Sequence, residues 1–114
     1  MEKIVKQALL YDFYGELLTE HQKQIYEEVV LNDYSFTEVA EEQGISRQGV
    51  HDLIKRCNKI LEEYEEKLKL VEKFIGTKEL VGEIDKLLAE YRIDRDEGKL
   101  LAIERITEEI LKSL

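Results

Sequence analysis

Residues 36–56 read FTEVAEEQGISRQGVHDLIKR and contain, in order, the signals for a short helix, a tight turn and a second helix. Ala40 is small enough to let two helices cross closely. Gly44, four residues later, suits the left-handed position that ends a helix. Ser46 then supplies an N-cap for the second helix. Together these residues predict a helix-turn-helix within residues 35–60.

Capping signals before this turn predict two further helix starts. Thr19 with Gln22, and Ser35 with Glu38, have the spacing of a capping box, in which each side chain caps the other residue's backbone N–H. The chain has no proline and its apolar residues recur at helical spacing, so we predict an all-α fold. Ile45, just after the turn, is expected to be a buried anchor. The first three helices are expected over residues 2–18, 20–32 and 36–43.

Apolar residues from the second helix of the motif onward repeat with heptad spacing. This repeat predicts one continuous helix of about 45 Å, at 1.5 Å per residue, ended by Gly76. Thr77 would cap a fifth helix, and the charged link 92–98 would precede a last one, giving a C-terminal helical hairpin. The repeat fits either a homodimer, which we favour, or packing within one chain. Its members are Val50, Ile54, Cys57, Leu61, Tyr64, Leu68, Val71 and Ile75.

The length of 114 residues predicts one domain. We expect residues 1–62 to hold the N-terminal helices and the helix-turn-helix, and residues 63–114 to form an extension that dimerises or packs on them. A single cysteine, Cys57, excludes an internal disulfide and fits a reducing compartment. The N-terminus lacks the pattern of a secretion signal, and no apolar run approaches the roughly 20 residues needed to cross a bilayer. A cytoplasmic protein without membrane insertion is therefore expected.

The net charge of −9 is unevenly distributed along the chain. Residues 1–45 carry −7 and residues 61–114 carry −5, whereas residues 46–60 carry +3. The positive segment coincides with the second helix of the predicted motif. This placement favours a nucleic-acid-binding surface on an otherwise acidic protein.

Six side chains on that helix are the candidate nucleic-acid-binding residues. Arg47 and Gln48 have the chemistry for bidentate contacts to guanine and adenine. Lys55 and Lys59 lie one turn apart and suit phosphates. The alternative is an ordinary solvated helix face, and a helix-turn-helix can also serve as a protein-docking surface. The full set is Arg47, Gln48, His51, Lys55, Arg56 and Lys59.

The sequence does not indicate catalysis, a metal site or a cofactor. Paired carboxylates such as Glu62-Glu63 are consecutive, so they fan around a helix instead of converging on a substrate. The glycines are single and scattered, which excludes a glycine-rich phosphate loop. Cys57 is expected to be buried as a small hydrophobic residue, and it has no partner with metal-ligand spacing. We therefore predict a protein that is not an enzyme and needs no cofactor.

Two family resemblances follow from these motifs. Residues 18–61 resemble the promoter-binding C-terminal domain of bacterial sigma factors, through the leading LT, the SFTEVA helix and the GISR turn. After residue 61 an acidic helical extension replaces the chain end of a sigma factor. Over nearly the whole chain, including YDFYGELLTEHQ at 11–22 and YEEKLKL at 64–70, the sequence is more similar to the YlxM family.

YlxM proteins are small bacterial helix-turn-helix proteins encoded beside the GTPases of the signal recognition particle. The resemblance implies a regulatory or accessory role in that targeting pathway and brings no catalytic residue with it. The implied partners are DNA or the RNA of the particle. An acidic adaptor that docks the targeting GTPase without binding nucleic acid is the alternative, since everything outside residues 46–60 carries −12.

Overall fold

The computed structural model describes residues 2–114, and these residues form helices with no β-strand among them. The all-α fold class predicted from the sequence is confirmed. Two helices are prolonged by less regular turns: α1 by a 3₁₀ turn, Gly15–Leu17, and α2 by a π-helical segment, Glu27–Leu31. The helices are α1 (Lys3–Tyr14), α2 (Glu20–Tyr26), α3 (Phe36–Gln43), α4 (Arg47–Leu68), α5 (Leu70–Asp94) and α6 (Glu97–Ser113).

The helix starts of the N-terminal half lie where the capping signals predict them. The Thr19 hydroxyl oxygen accepts the N–H of Gln22 at 3.2 Å, while the Gln22 side chain accepts the N–H of Thr19 at 3.0 Å. Ser35 and Glu38 form the same reciprocal pair. These bonds satisfy backbone donors that the first turn of a helix leaves without partners.

The turn of the helix-turn-helix also follows its local sequence. Gly44 has φ 68°, in the left-handed region that a residue without a Cβ adopts at low cost. The Ser46 hydroxyl oxygen accepts the N–H of Gly49 at 2.9 Å and begins α4. Val39, Ala40 and Val50 are buried on α3 and α4, which contact each other. The expectation for Ile45 was wrong: its side chain is 37% exposed at the edge of the motif.

The chain consists of two compact units that meet between residues 71 and 72. In the first unit α4 contacts α1, α2 and α3, so the long helix is the centre around which the N-terminal helices pack. The first unit ends at residue 71, and Tyr64, Glu65 and Leu70 contact Tyr14 of α1. All the buried core residues belong to this unit: Leu10, Tyr14, Leu18, Ile25, Tyr26, Val39, Ala40, Val50, Ile54, Cys57, Leu61 and Val71.

The second unit is the helical hairpin of residues 72–114. Arg95 and Asp96 alone separate α5 from α6, so the link between them is much shorter than the expected 92–98. Asp96 caps α6 by accepting the N–H of Gly98 at 2.9 Å. Lys99 pairs with Asp94 and lies 3.6 Å from Glu90. No residue of this unit is fully buried, and its partly covered apolar positions are Ile75, Leu80, Ile84, Leu87, Tyr91, Leu100, Ala102, Ile103, Ile106 and Ile110.

The prediction of one continuous helix over residues 50–75 is wrong. Helix α4 ends at Leu68, and Lys69 takes a left-handed conformation with φ 58°. Helix α5 then runs through Gly76 and Thr77, which neither end nor cap a helix. The heptad repeat therefore continues across a break in the backbone.

Hydrogen bonds to the side chains of Glu65 and of Tyr14, the latter on α1, explain the break. The N–H of Val71 donates to Oε1 of Glu65 at 2.9 Å, and the N–H of Leu70 donates to the Tyr14 hydroxyl oxygen at 3.2 Å. Two donors at the start of α5 thus find partners without a preceding helical turn. The N–H of Lys69 is satisfied by the carbonyl oxygen of Glu65 at 2.8 Å.

The N-terminal part of the heptad repeat packs within the chain. Val50, Cys57 and Leu61 have no exposed surface. The Tyr64 ring stacks near Tyr14, with 6.1 Å between centroids. These residues are therefore unavailable to a second subunit, whereas Leu68, at the end of α4, is 53% exposed.

Candidate nucleic-acid interface

The first turns of α4 present one buried face and one exposed face. Val50, Ile54 and Cys57 turn toward the core of the first unit. Because a helix repeats every 3.6 residues, most positions between them point away from the core, and Leu53 is half-buried. The structure places all six predicted site residues on the exposed positions: Arg47, Gln48, His51, Lys55, Arg56 and Lys59.

An acidic residue lies in the middle of this basic face. The side-chain amide of Gln48 donates a 2.9 Å hydrogen bond to Oδ1 of Asp52. The same oxygen is 3.6 Å from Nδ1 of His51. A bidentate contact to adenine needs both the amide nitrogen and the oxygen of Gln48. Gln48 would therefore have to exchange its bond to Asp52 for one to the base.

The six residues fall into two groups along the helix. Arg47, Gln48 and His51 line a shallow hollow of about 370 Å³ with Phe36. The other three, Lys55, Arg56 and Lys59, line a second hollow on the next turns, together with Asp52 and Glu62. The first group lies nearest the start of α4, where a helix-turn-helix reads base edges, and the second suits contacts to the backbone.

Phe36 is a residue of this surface that the sequence analysis missed. It is the first residue of α3, and its ring meets the His51 ring edge to face, with centroids 5.8 Å apart. The contact fixes where the imidazole of His51 lies on the exposed face. Its position directly after the Ser35 cap was the available signal, because the first turn of α3 faces the start of α4 across the motif.

A groove lies on the α1 side of the same surface. Its volume is about 400 Å³, and α1, the π-helical segment after α2, the start of α3 and α4 all contribute to it. Phe36, His51 and Lys55 line this groove as well as the hollows on α4. Lys3 and Asn58 were not predicted as site residues, since only packing brings α1 against α4. The other lining residues are Ile4, Gln7, Val29, Val30, Asp33 and Ile54.

Side chains on the core side of α4 connect this helix to the rest of the first unit. The Tyr26 hydroxyl donates to Oδ1 of Asn58 at 2.6 Å, and the Tyr26 ring stacks on Tyr11 with centroids 5.2 Å apart. Burial raises the pKa of Tyr26 and, together with a hydrogen bond to Glu27, that of Tyr11, so both phenols stay protonated. Burial also raises the pKa of the Cys57 thiol to about 11, and the buried position predicted for Cys57 is confirmed.

Within residues 2–114, the His, Cys, Asp and Glu side chains form no group of three or more that could hold a metal ion. No helix in this range combines the length and the apolar character needed to cross a bilayer. The exposed face of α4 is an open surface of mixed charge.

Comparisons with known proteins agree with the fold and the motif. Residues 1–101 match a family model described as "Putative helix-turn-helix protein, YlxM / p13 like". A UPF0122 protein of Thermoanaerobacter sp. (strain X514) is 44% identical over 107 residues, which cover 94% of this chain and 89% of that protein. A UPF0122 protein of Acetivibrio thermocellus is 44% identical over 117 residues, which cover 99% of this chain and 100% of that protein. One of Bacillus cereus (strain AH187) is 42% identical over 108 residues, which cover 93% of this chain and 98% of that protein. The chain therefore belongs to the UPF0122 family of YlxM/p13-like helix-turn-helix proteins.

Proposed function

We propose that this protein is a cytoplasmic, non-enzymatic regulatory protein that binds nucleic acid through the exposed face of α4. The observation that carries the proposal is the exposure of every charged side chain of the +3 segment, on the second helix of a helix-turn-helix, in a chain whose other residues carry −12. Membership in a helix-turn-helix family supports it. Acidic surfaces repel the phosphate backbone, so the charge distribution admits only an approach by the face of α4.

Each of the six side chains on α4 has a role that depends on its position along the helix. Arg47 and Gln48, in the first turn of α4, contact base edges, which carry sequence information. Lys55 and Lys59 contact phosphates, which fix the register without reading the sequence. Arg56 and His51 lie at the two sides of this stripe and add backbone contacts.

DNA and the RNA of the signal recognition particle are the two candidate ligands. Duplex DNA suits a recognition helix in the major groove. The particle's RNA is included because of the YlxM resemblance, which connects this family with that targeting pathway. The competing function is that of an adaptor that docks the targeting GTPase, and the −12 outside residues 46–60 favours a basic protein partner of this kind.

We further propose that two copies associate and present two α4 helices to the ligand. Val81 and Leu88 are 52% and 38% exposed and lie seven residues apart, hence on one face of α5. In a dimer this face would be covered. Leu88→Glu should then shift the mass measured by light scattering from dimer to monomer, whereas Leu111→Glu, on another exposed apolar residue, should not. A monomeric wild-type protein at tens of micromolar would exclude the dimer.

The function is tested by titrating a DNA duplex and the particle's RNA at low salt. With about three phosphates neutralised per subunit, log K against log salt should have a shallow slope, near −0.9 for each phosphate on duplex DNA. Replacing Arg47, Gln48, Lys55 and Lys59 by alanine should abolish binding. A control with Lys73, Lys78 and Lys86 replaced by alanine loses the same charge on the second unit and should bind like wild type.

Two double variants separate the proposed contacts to bases from the proposed contacts to phosphates. Arg47→Ala with Gln48→Ala should remove discrimination between sequences, whereas Lys55→Ala with Lys59→Ala should weaken binding to all sequences about equally. If the wild type binds neither ligand, or the four-residue variant binds as well as its control, α4 is not a nucleic-acid site and the adaptor function takes its place.

A further inference from the structure

We infer that the groove between α1 and α4 binds a single unpaired nucleotide of the nucleic acid that lies on α4. The inference rests on the proposed function and adds the class of ligand: a strand with a bulged or single-stranded position. The groove has a volume of about 400 Å³ and is built by four elements of the first unit. Pockets for small molecules fall in the range of about 300–1,000 Å³, so one base with its sugar is of suitable size.

Aliphatic and aromatic side chains make up much of the lining of the groove. Val29, Val30 and Ile54 are aliphatic, and the Phe36 ring meets the His51 ring edge to face. A base taken out of a duplex loses its stacking neighbours, and aliphatic and aromatic side chains replace them. Such a surface accepts any base, because every base has a π-face.

Polar groups on the groove match the remaining parts of a nucleotide. Lys3 of α1 and Lys55 of α4 both line the groove and suit the phosphates on either side of a turned-out base. Asp33 is the single carboxylate among the lining residues and would accept from an exocyclic amino group of adenine or cytosine. Asn58 uses its oxygen for Tyr26, which leaves its amide N–H groups as donors for a base edge.

The groove is continuous with the proposed recognition surface. Phe36 and His51 border both the groove and the hollow that contains Arg47 and Gln48. Lys55 belongs to the groove and to the basic face. A strand held by α4 would therefore pass the mouth of the groove. A paired base could not enter, since it remains stacked in the duplex, so the groove selects for an unpaired position.

The test compares a fully paired DNA duplex, the same duplex with one unpaired adenosine, and the RNA counterparts of both. The wild type should bind the bulged forms about tenfold more tightly than the paired ones, since one stacked base contributes about that factor. Comparing the DNA probes with the RNA probes shows which of the two nucleic acids places its unpaired nucleotide in the groove. Gln7→Trp should fill the groove and abolish the tenfold preference while leaving affinity for the paired duplex unchanged.

Two further variants keep the test decisive. Gln24→Trp places the same ring in a separate hollow formed by Glu16, Glu20 and Glu27, and it should retain the preference. Lys3→Ala, at an exposed position, should reduce the preference even if Gln7→Trp folds poorly. Equal affinity of the wild type for bulged and paired forms, or a preference unchanged in both groove variants, would overturn this inference and leave the α4 site standing. Absence of binding to every probe would instead reject the proposed function.

Discussion

The hydroxyl of Tyr14 in α1 donates a 2.6 Å hydrogen bond to Oε1 of Glu65, fifty-one residues later in α4. The same carboxylate oxygen accepts the N–H of Val71, and the Tyr14 oxygen accepts the N–H of Leu70. Tyr14 is 1% exposed. Burial, and then the bond to Glu65, raises the pKa of Tyr14, so its hydroxyl remains a donor. One pair of side chains thus joins the first helix to the junction of α4 and α5.

Glu65→Ala should destabilise the first unit by about 1–3 kcal/mol, because it leaves the buried Tyr14 hydroxyl and the N–H of Val71 without their acceptor. Glu65→Gln retains an acceptor oxygen and should cost less. Glu63→Ala, at an exposed position of α4, should stay within about 0.5 kcal/mol of wild type. Urea denaturation measures all three. Equal midpoints for the Glu65 and Glu63 alanine variants would show that another contact holds the junction.

Gly44→Val should destabilise the protein by about 1 kcal/mol or more, because a β-branched residue is strained at φ 68°. The space around Gly44 is open, so the cost comes from the backbone and not from a clash. Gly44→Asn, which tolerates the left-handed region, should cost clearly less. Thermal unfolding of the two variants provides the comparison, and the same loss of stability in both would contradict the backbone explanation.

Cys57 should be unreactive toward a thiol reagent in the native protein at neutral pH and reactive after denaturation. Its pKa is raised to about 11 by burial, from an ordinary value of 9.0, so the folded state holds the proton more tightly than the unfolded state. The contribution to stability is therefore complete below about pH 9 and is lost as the pH rises toward 11. The difference in unfolding free energy between wild type and Cys57→Ala should narrow over that interval. Rapid labelling of the folded protein would contradict this account.

Asp52→Asn should strengthen nucleic-acid binding by roughly two- to fivefold at low salt. The substitution removes a negative charge from the basic face of α4, an exposed position where the gain is modest. Asp85→Asn, in the second unit, makes the same change of charge away from α4 and serves as the control. Titration of a DNA duplex with both variants measures the effect. If Asp52→Asn and Asp85→Asn increased the affinity for the duplex equally, the increase would come from the net charge of the protein and not from the face of α4.

Much of the fold and of the candidate site follows from neighbouring residues in the sequence. The two capping boxes, the left-handed Gly44 and the Ser46 cap each depend on groups within four residues of one another, so local spacing was sufficient to locate them. The exposure of the basic residues of α4 follows in the same way, because a helix fixes which positions share a face.

Only the tertiary structure decided where the long helix ends and what lies beside it. A heptad repeat has the same spacing on a continuous helix and on two helices, and the break at Lys69 depends on Glu65 together with Tyr14, a residue from another helix. The groove likewise has both Lys3 of α1 and Lys55 of α4 in its lining, a proximity that no local pattern encodes. Sequence spacing determines which residues share a helical face. Packing between distant helices determines which faces meet, because that depends on the shapes and hydrogen-bonding groups of both.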